Sequence, residues 1–472
     1  MTARNRWWLL ASVLFGLLSS NINFTVFNVA LVDIARNLHT SQTTLTWAIT
    51  GPLLAVGVAA PILGKLGDLH GHRRLYLVGL VGSLVCAAFT AGAWNAWSLI
   101  VARLFSGLGA ACLTASSWSL LFRVFGPGER TKVLGWWSLV GAGGPVIGVA
   151  IGGPVVQYFG WRWIFVAQVP LILIALVTNY RVLPETEPAE GEKLDIAGSV
   201  LLALAVGGLL MTLNQGSGGW TRPQVYGAAT GSLLAFAAFG FVERRAATPV
   251  FPLEWLSNRN FTLPCIAGLS MNFAYMGGFF LTPLFLERGL HYSIGSAGLL
   301  QIARPLLFAI SAPAAGYFAS RTGERPAAVA GAGLMIVSMV AFATLRPGTS
   351  VIMIIAALGA SGLSNGVSMP PISAMVANSA DVRHMGSASA ALQVANQVGV
   401  VAGIQVMETV QASREHIAGV VGSFQEAYVA GAIVTIVAVI ATLMIRGRAQ
   451  AETTLAGQGA ARLAAEAAAE VG

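Results

Sequence analysis

The sequence predicts an all-α integral membrane protein with fourteen transmembrane helices, and three observations lead to that fold class. Hydrophobic residues make up 56% of the 472 residues and charged residues only 10%, whereas about a quarter of a soluble domain is charged. Segments such as 7–31 and 133–156 contain no Asp, Glu, Lys or Arg, and about 20 helical residues cross a bilayer. The basic residues recur in short loops between such segments, so the net charge of +8 does not predict nucleic-acid binding.

Dividing the chain at its charged and its Pro- or Gly-rich breaks gives the individual helices. The predicted spans are 7–32, 46–66, 75–93, 97–122, 133–156, 162–183, 194–214, 225–242, 261–285, 297–319, 327–345, 350–377, 388–410 and 427–446. The first span is too long for the apolar region of a signal peptide, and Trp7 and Trp8 suit an interfacial belt. We therefore expect this span to be retained.

The distribution of basic residues predicts the orientation. Lys and Arg are retained in cytoplasmic loops, and an even number of spans places both chain ends on one side. With the termini inside, 19 of the 27 basic residues are cytoplasmic, 6 are external, and Arg103 and Arg304 lie within spans. We expect a multi-pass protein of the inner membrane with both termini in the cytoplasm.

Two short segments, 252 residues apart, indicate an internal repeat. Gly64–Arg73 and Gly316–Arg325 have Gly, Gly and Arg at matching positions and follow spans 2 and 10. Two six-helix halves result if spans 7 and 8 are an inserted pair. The expected division is an N-terminal six-helix bundle at 1–190, the inserted pair with its linkers at 191–258, a C-terminal six-helix bundle at 259–448 and a cytoplasmic tail at 449–472.

The positions of the cysteines and histidines in the sequence do not suggest a metal centre or a catalytic site. Cys86, Cys112 and Cys265 lie far apart within apolar segments, which fits neither a disulfide framework nor a set of metal ligands. The six histidines are scattered over loops, and the sequence has no Walker-type phosphate loop. We expect no enzymatic activity, no metal and no cofactor.

The repeated segment has the composition of a tight charged turn. In the first copy, Gly64 and Gly71 permit a reversal of the chain, and Asp68, Arg73 and Arg74 are able to form charge-assisted contacts with neighbouring helix ends. The equivalent positions of the second copy are Gly316, Gly323 and Arg325. The alternative interpretation is a solvated turn without a specific role.

Two further motifs lie inside predicted spans. Arg103 is a lone charge in span 4, where insertion costs about 3 kcal/mol, so it is a candidate functional residue. The alternative is a structural arginine bound to backbone carbonyls. Span 5 has small residues at close intervals, which allow helix backbones to approach; they are Gly144, Pro145, Gly148, Gly152 and Gly153.

These motifs, in this order over nearly the whole chain, resemble the major facilitator superfamily, and within it the fourteen-span drug:proton antiporters. The resemblance implies two six-helix bundles plus two inserted helices. It also implies that Gly64–Arg74 is a conformational latch between the halves, that Arg103 takes part in proton coupling, and that Gly144–Gly153 is the motif of exporters.

Span 1 is similar to the family but differs from it at two positions. Asn23 stands where many relatives have Asp, and Val32 where they commonly have Pro. The loss of that carboxylate removes one candidate proton carrier. Asp33, Glu287 and Glu408 remain, and we expect each near an outer helix end, where a solvated charge is the simpler interpretation.

Several polar side chains within spans are candidates for a substrate cavity, because an apolar pocket with few polar groups suits amphipathic compounds. Each is also able to bond to a neighbouring helix. Arg304 would attract an anionic or lipid-like substrate, or pair with Glu287 or Glu408. The candidates are Asn23, Asn28, Asn272, Tyr275, Gln301, Arg304, Asn365, Gln393, Asn396 and Gln397.

The function implied by the resemblance is export of small amphipathic compounds by alternating access, driven by the proton gradient. The expected partners are substrate, protons and membrane lipids, with no nucleic acid, and we expect a monomer. Two alternatives remain open. One is an uptake carrier or facilitator of a metabolite without proton coupling, and the other is a sensor or scaffold with the same fold.

Overall fold

A computed structural model describes residues 3–21, 27, 30, 33–40, 42–186, 195–216, 223–246, 254–380 and 384–445. The regular structure of this part of the chain is entirely helical. The first eight helices are α1 Ala3–Asn21, α2 Gln42–His70, α3 His72–Ala91, α4 Ala96–Val124, α5 Arg130–Phe159, α6 Arg162–Val182, α7 Ile196–Gly216 and α8 Pro223–Glu243.

After a helical turn at Glu254–Ser257, the second half of the described chain has five longer helical elements. The element α9 continues into a π-helical turn at Phe285–Gly289, and α10 has two parts. The elements are α9 Arg259–Leu284, α10 Ile294–Gln301 and Ala303–Thr322, α11 Glu324–Thr344, α12 Val351–Asn378 and α13 Met385–Met444.

Ten helices of the described chain are long and apolar enough to cross a membrane. The longest of them, α13, has 60 residues and contains a break at Gly419, whose φ of 70° and ψ of 176° are not helical. At 1.5 Å per residue an unbroken helix of that length would measure about 90 Å, three times the hydrocarbon thickness. The break divides α13 into segments 385–418 and 420–444. The chain is therefore a multi-pass membrane protein.

The helices form two bundles in which the same pairs are in contact. In the first half α4 packs against α2 and α3, and in the second half α12 packs against α10 and α11. Glycines 252 residues apart allow equivalent close contacts. A Cβ on Gly79 of α3 would lie 3.0 Å from the carbonyl oxygen of Gly109, and a Cβ on Gly331 of α11 would lie 2.8 Å from that of Ser364.

Helices α7 and α8, the predicted inserted pair, form a hairpin at the boundary between the bundles. α7 contacts both α2 and α13, and Val206 and Leu210 of α7 share a hydrophobic cluster with Val401 of α13. A Cβ on Gly57 of α2 would lie 2.7 Å from Leu210 Cδ1. α7 therefore covers the seam between α2 and α13, with α8 packed on its other side.

The predicted turn over Gly64–Arg74 is wrong for most of its length. Helix α2 continues to His70, so Gly64 and Asp68 are helical, and only Gly71, with φ 94°, separates α2 from α3. In the second copy, Gly323 with φ 96° likewise separates α10 from α11. A positive φ favours glycine because it has no Cβ. The conformational freedom of glycine is therefore needed at Gly71 and Gly323.

The predicted end of span 13 at residue 410 is also wrong. The first segment of α13 runs to residue 418, because backbone hydrogen bonding continues through polar residues beyond the apolar stretch. Gln411 and Glu415, for example, are bonded to each other one turn apart, with 2.8 Å between Gln411 Nε2 and Glu415 Oε2. Glu408 accordingly lies eleven residues before the break at Gly419, within the helix and not at its end.

Candidate functional site

The two bundles meet through few helices. α5 packs against α10 and α12, while α13 packs against α2 and α4. The hydrogen bonds described below between the bundles lie at one end of the molecule, which we call the basic end because Arg73, Arg130 and Arg325 lie there.

Asp68 is the centre of the contact between α2 and α13. The side chain is buried at 2% exposure and accepts hydrogen bonds from the backbone N–H groups of Gly386, at 3.0 Å, and Ser387, at 3.1 Å. Ser387 Oγ donates a third, at 3.0 Å, and His72 Nε2 a fourth, at 2.9 Å. The first N–H groups of a helix have no partner within it, and its N-terminus favours a negative charge. A carboxylate of one bundle thus caps a helix of the other.

Gly64 allows this contact to form. A Cβ at Gly64 would lie 2.5 Å from the carbonyl oxygen of Gly386 and 3.0 Å from the Cβ of Ala390. Real Cβ atoms do not come so close to a backbone oxygen, so any larger residue would separate α2 from α13. The role of Gly64 is close packing between the bundles.

The second copy of the repeat makes the matching contact between α10 and α5, with different polar groups. A Cβ at Gly316 would lie 2.6 Å from the carbonyl oxygen of Thr131. Ser320, four residues on, bonds within its own helix. Glu324 accepts hydrogen bonds from Thr131 Oγ1 at 3.2 Å and Asn378 Nδ2 at 3.3 Å.

Arg130 of α5 adds to this second contact. Its Nη1 donates to the carbonyl oxygen of Ala377 at 3.1 Å and to Asn378 Oδ1 at 3.0 Å. The two bundles are therefore joined at the basic end by one contact on each side. On one side Asp68 of α2 contacts α13, and on the other side α5 contacts α10, α11 and α12.

Arg73 and Arg325 of the repeated segment contact their own bundles. Arg73 donates to the carbonyl oxygen of Tyr180 at 2.8 Å and to the Glu185 carboxylate, at the end of α6. Arg325 donates to the carbonyl oxygen of Leu443, at the end of α13. Arg74 is exposed. Arg73 and Arg325, 252 residues apart, therefore attach each copy of the repeat to the last helix of the same bundle.

Arg103 is buried at 1% exposure in α4. Its Nε donates to the carbonyl oxygen of Ala48 in α2 at 3.1 Å, and its guanidinium carbon lies 4.9 Å from the centre of the Phe27 ring. A carbonyl dipole and an aromatic face both stabilise a buried cation. These contacts are compatible with both interpretations of Arg103, a structural role and a role in proton coupling.

The span 5 motif lies in α5, beside α1. A Cβ at Gly144 would lie 3.7 Å from Asn21 Cβ, which is ordinary van der Waals contact, and Gly148 is buried. The surroundings of Pro145, Gly152 and Gly153 lie outside the described residues.

A cavity of about 190 Å³ lies between the bundles. Helices α1, α2, α4 and α5 form its wall on one side and α13 on the other. The lining residues are Leu17, Asn21, Leu53, Val56, Ala110, Thr114, Trp137, Val140, Gly141, Gln393 and Gln397.

Of the eight predicted cavity residues that the structure describes, two line this space, Gln393 and Gln397. Asn23 and Asn28 lie outside the described residues. Sequence reasoning missed Asn21, Thr114 and Trp137, although the first two are polar residues within apolar segments and gave the same signal as those chosen.

The other candidates lie within the second bundle. Asn272 Nδ2 donates to Asn396 Oδ1 at 3.1 Å, joining α9 to α13. Gln301 Nε2 donates to the carbonyl oxygen of Phe279 at 2.7 Å, and Asn365 is buried in α12. Asn272, Asn396 and Gln301 agree with the alternative interpretation, bonding between neighbouring helices, whereas Asn365 Oδ1 is a buried atom without a hydrogen-bond partner among the described residues.

Arg304 is fully buried beside Tyr275. Its Nη2 donates to Thr282 Oγ1 at 3.1 Å, its Nη1 lies 3.5 Å from the carbonyl oxygen of Tyr275, and its guanidinium carbon is 5.3 Å from the Phe342 ring centre. The predicted pairing with Glu287 or Glu408 is not among the ion pairs of the described residues. Arg304 therefore contacts hydroxyl, carbonyl and aromatic groups in this conformation, away from the central cavity.

Two similar helical bundles around a central cavity, joined at one end by capping contacts, define a membrane transporter fold. Residues 13–404 match the family profile described as Major Facilitator Superfamily. The chain belongs to this family.

Relatives of the chain include resistance and transport proteins. It is 30% identical to a methylenomycin A resistance protein of Bacillus subtilis over 83% of this chain and 84% of the relative. It is 29% identical to a tetracenomycin C resistance and export protein of Streptomyces glaucescens, over 86% of this chain and 76% of the relative. It is also 29% identical to riboflavin transporter RibZ of Clostridioides difficile, over 78% of this chain and 80% of that transporter.

Solved structures share the fold at low sequence identity. The human organic anion transporter MFSD10 superposes with a TM-score of 0.67 at 16% identity, covering 93% of this chain and all of that one. At this identity the similarity establishes the fold alone. The all-helical major facilitator fold predicted from the sequence is confirmed.

Proposed function

We propose that this protein is a secondary active transporter that exports small amphipathic compounds, such as drugs, antibiotics, natural products or lipids, by alternating access. The observation that supports the proposal best is the cavity between the bundles together with their closure at the basic end. A cavity in this position becomes accessible from opposite ends when the bundles rock against each other. The antibiotic resistance and export proteins among the relatives favour export.

The proposed topology has fourteen spans in the inner membrane, with both termini in the cytoplasm. Helices α1–α12 contribute one span each, and the two segments of α13 contribute the last two. The basic end then faces the cytoplasm, in accordance with the distribution of Lys and Arg. In this orientation the conformation described here is closed towards the cytoplasm.

We further propose that export is driven by proton antiport and that Arg103 takes part in the coupling. The burial of Arg103 beside α2 and Phe27 supports this assignment, because a shift of α4 against these neighbours would change the environment of a fixed cation. Asn23 in place of the family's aspartate requires that the proton be carried elsewhere.

The test is drug accumulation in cells that lack their own efflux pumps. Cells expressing the protein are exposed to a panel of antibiotics, and intracellular drug is measured by mass spectrometry with and without a protonophore. We expect lower accumulation of at least one compound than in vector controls, and restoration by the protonophore. Export that survives the protonophore would contradict antiport, and accumulation above control would favour uptake.

An uptake carrier is the second candidate, favoured by the relative named as a riboflavin transporter. The same cells supply the test. Riboflavin auxotrophs expressing this protein would grow at lower external riboflavin if it imports that vitamin, and would gain nothing if it is an exporter.

A further inference from the structure

Three of the five polar side chains that the structure places along the central cavity are primary amides. Asn21 of α1 and Gln393 and Gln397 of α13 line it, and none of the three has a hydrogen-bond partner within the described part of the chain. Gln397 is only 5% exposed, and its Nε2 is a buried nitrogen without a partner. A buried polar group that is left unpaired costs free energy. A bound molecule that pairs with Gln397 would recover that cost.

The described lining contains no charged side chain. A cation bound in this space would have no carboxylate to compensate for the loss of its hydration, and an anion would have no guanidinium or ammonium group. Primary amides both donate and accept hydrogen bonds, so they match the carbonyl, amide and hydroxyl groups of uncharged molecules.

Trp137 provides an aromatic wall opposite the amides of α13. Its indole N–H donates to Ser117 Oγ at 3.0 Å, and its ring packs edge-on against Trp118, with 6.2 Å between centroids and 80° between planes. Because the N–H is already bonded, Trp137 offers the cavity ring surface alone. Aromatic pairs of this kind hold a ring in place and leave it available for a further flat partner.

From these three observations we infer that the cavity selects small, uncharged, flat molecules that carry a carbonyl or amide group, with Gln397 and Gln393 as specificity-determining residues and Trp137 as the stacking surface. The inference rests on the proposed function in taking the cavity as the substrate site. The volume of about 190 Å³ is below the roughly 300–1,000 Å³ of sites for drug-sized ligands. One- or two-ring compounds fit it in this conformation.

The test compares probes that are alike in size and differ in charge. Coumarin is a neutral two-ring lactone, and N-methylquinolinium is a two-ring permanent cation. Binding to the purified full-length protein is measured by isothermal titration calorimetry. We expect the wild type to bind coumarin at least about tenfold more tightly than the cation, because the cation would be unpaired in the cavity.

Variants of Gln397 separate the amide from the general apolar character of the site. Gln397→Leu should weaken coumarin binding about tenfold, and Gln397→Glu should reverse the preference by supplying a carboxylate for the cation. Trp137→Phe should retain most of the affinity and Trp137→Ala should lose it. Gln425→Leu is the matched control, because that amide donates to the carbonyl oxygen of Leu345 and does not line the cavity.

Equal or tighter binding of N-methylquinolinium by the wild type, no binding of coumarin, or full coumarin affinity in Gln397→Leu would each overturn the inference. Failure of the proposed function has a different signature. Coumarin binding that depends on Gln397, without drug export in cells, would refute export while leaving the selectivity of the site intact.

Discussion

At the scale of single residues, Asp68 shows how one side chain joins two halves of a membrane protein. Its carboxylate is buried at the basic end and accepts four hydrogen bonds, three of them from the first residues of α13. A buried carboxylate is stable only when its charge is compensated by such donors. If the bundles separate at this end, as the proposed alternating access requires, the carboxylate would lose those donors and gain water, so the closed and open states would differ at this residue.

Replacing Asp68 with Asn should therefore impair transport. The variant keeps the shape but removes the charge, and its NH2 group would face N–H donors. Hydrogen bonds to charged groups contribute about 1.5–3 kcal/mol, so we expect the closed state to be disfavoured roughly tenfold or more. The measurement is the rate of drug efflux per molecule of inserted protein.

Ser387→Ala is the milder comparison for Asp68→Asn. It removes one donor to Asp68 and leaves the two backbone N–H donors of α13 in place, so a smaller loss of efflux is expected. Efflux by Asp68→Asn at the wild-type rate would argue against the latch.

At the scale of helices, the fold depends on how closely backbones approach. Gly64 permits the contact of α2 with α13, and Gly316 the contact of α10 with α5, where any Cβ would meet a carbonyl oxygen of the other bundle at 2.5 or 2.6 Å. Lipid tails are as apolar as the side chains, so the hydrophobic effect does not favour one arrangement of membrane helices over another. Close packing of the helices, without voids or overlap, determines which arrangement is stable.

Gly64→Ala should shift the protein towards the state that is open at the basic end, because the added methyl group is accommodated only if α2 and α13 move apart. Spin labels on cysteines replacing His70 and Arg321, in a variant without the three native cysteines, would report the distance between the bundles. We expect a larger population at long distance than in the wild type.

Gly82→Ala is the control for this measurement, since a Cβ at Gly82 meets no atom within 4 Å. Its distance distribution should match that of the wild type. An unchanged distribution in Gly64→Ala would show that close packing at this glycine does not determine closure.

At position 419 glycine is required by the backbone conformation and not by close packing. At φ 70° and ψ 176° a residue with a side chain is strained by about 1–3 kcal/mol, although open space surrounds the position. Gly419→Ala should lower the melting temperature of the purified protein. Gly333→Ala, at a helical position that is equally open, should not lower it, and equal melting temperatures for the two variants would contradict the argument.

At the scale of the whole molecule, helices α7 and α8 lie along one of the two seams between the bundles. α7 contacts both α2 and α13 and so lies where the bundles meet, while the opposite seam is formed by α5, α10 and α12. In the proposed alternating access, motion of the bundles would therefore either carry α7 with one of them or slide both past it.

The topology proposed for this insertion is testable with reporter fusions. If α7 and α8 both cross the membrane, alkaline phosphatase fused after residue 219 should be active, and fusions after residues 189 and 249 should be inactive. Alkaline phosphatase is active only outside the cytoplasm, so its activity reports on which side of the membrane each fusion point lies. An inactive fusion at 219 would place the hairpin on the cytoplasmic surface and reduce the number of spans.

The sequence alone predicted the membrane class, the repeat and the helical fold, because these depend on local properties. Apolar runs identify helices that cross a bilayer, and glycines repeated at 252 residues indicate two similar halves. Gly64, Asp68 and Gly71 were identified from the sequence because they belong to the repeated segment, although the predicted turn around them is mostly helix.

Only the tertiary structure decided which polar residues meet. Asp68 bonds to Gly386, 318 residues away, and nothing in the local sequence indicates that pairing. Gln397 lines the cavity while its neighbour Asn396 bonds to Asn272, although both are amides in the same apolar helix. The physical reason is that successive residues of a helix point about 100° apart, and the rotation of α13 is set by the helices packed around it.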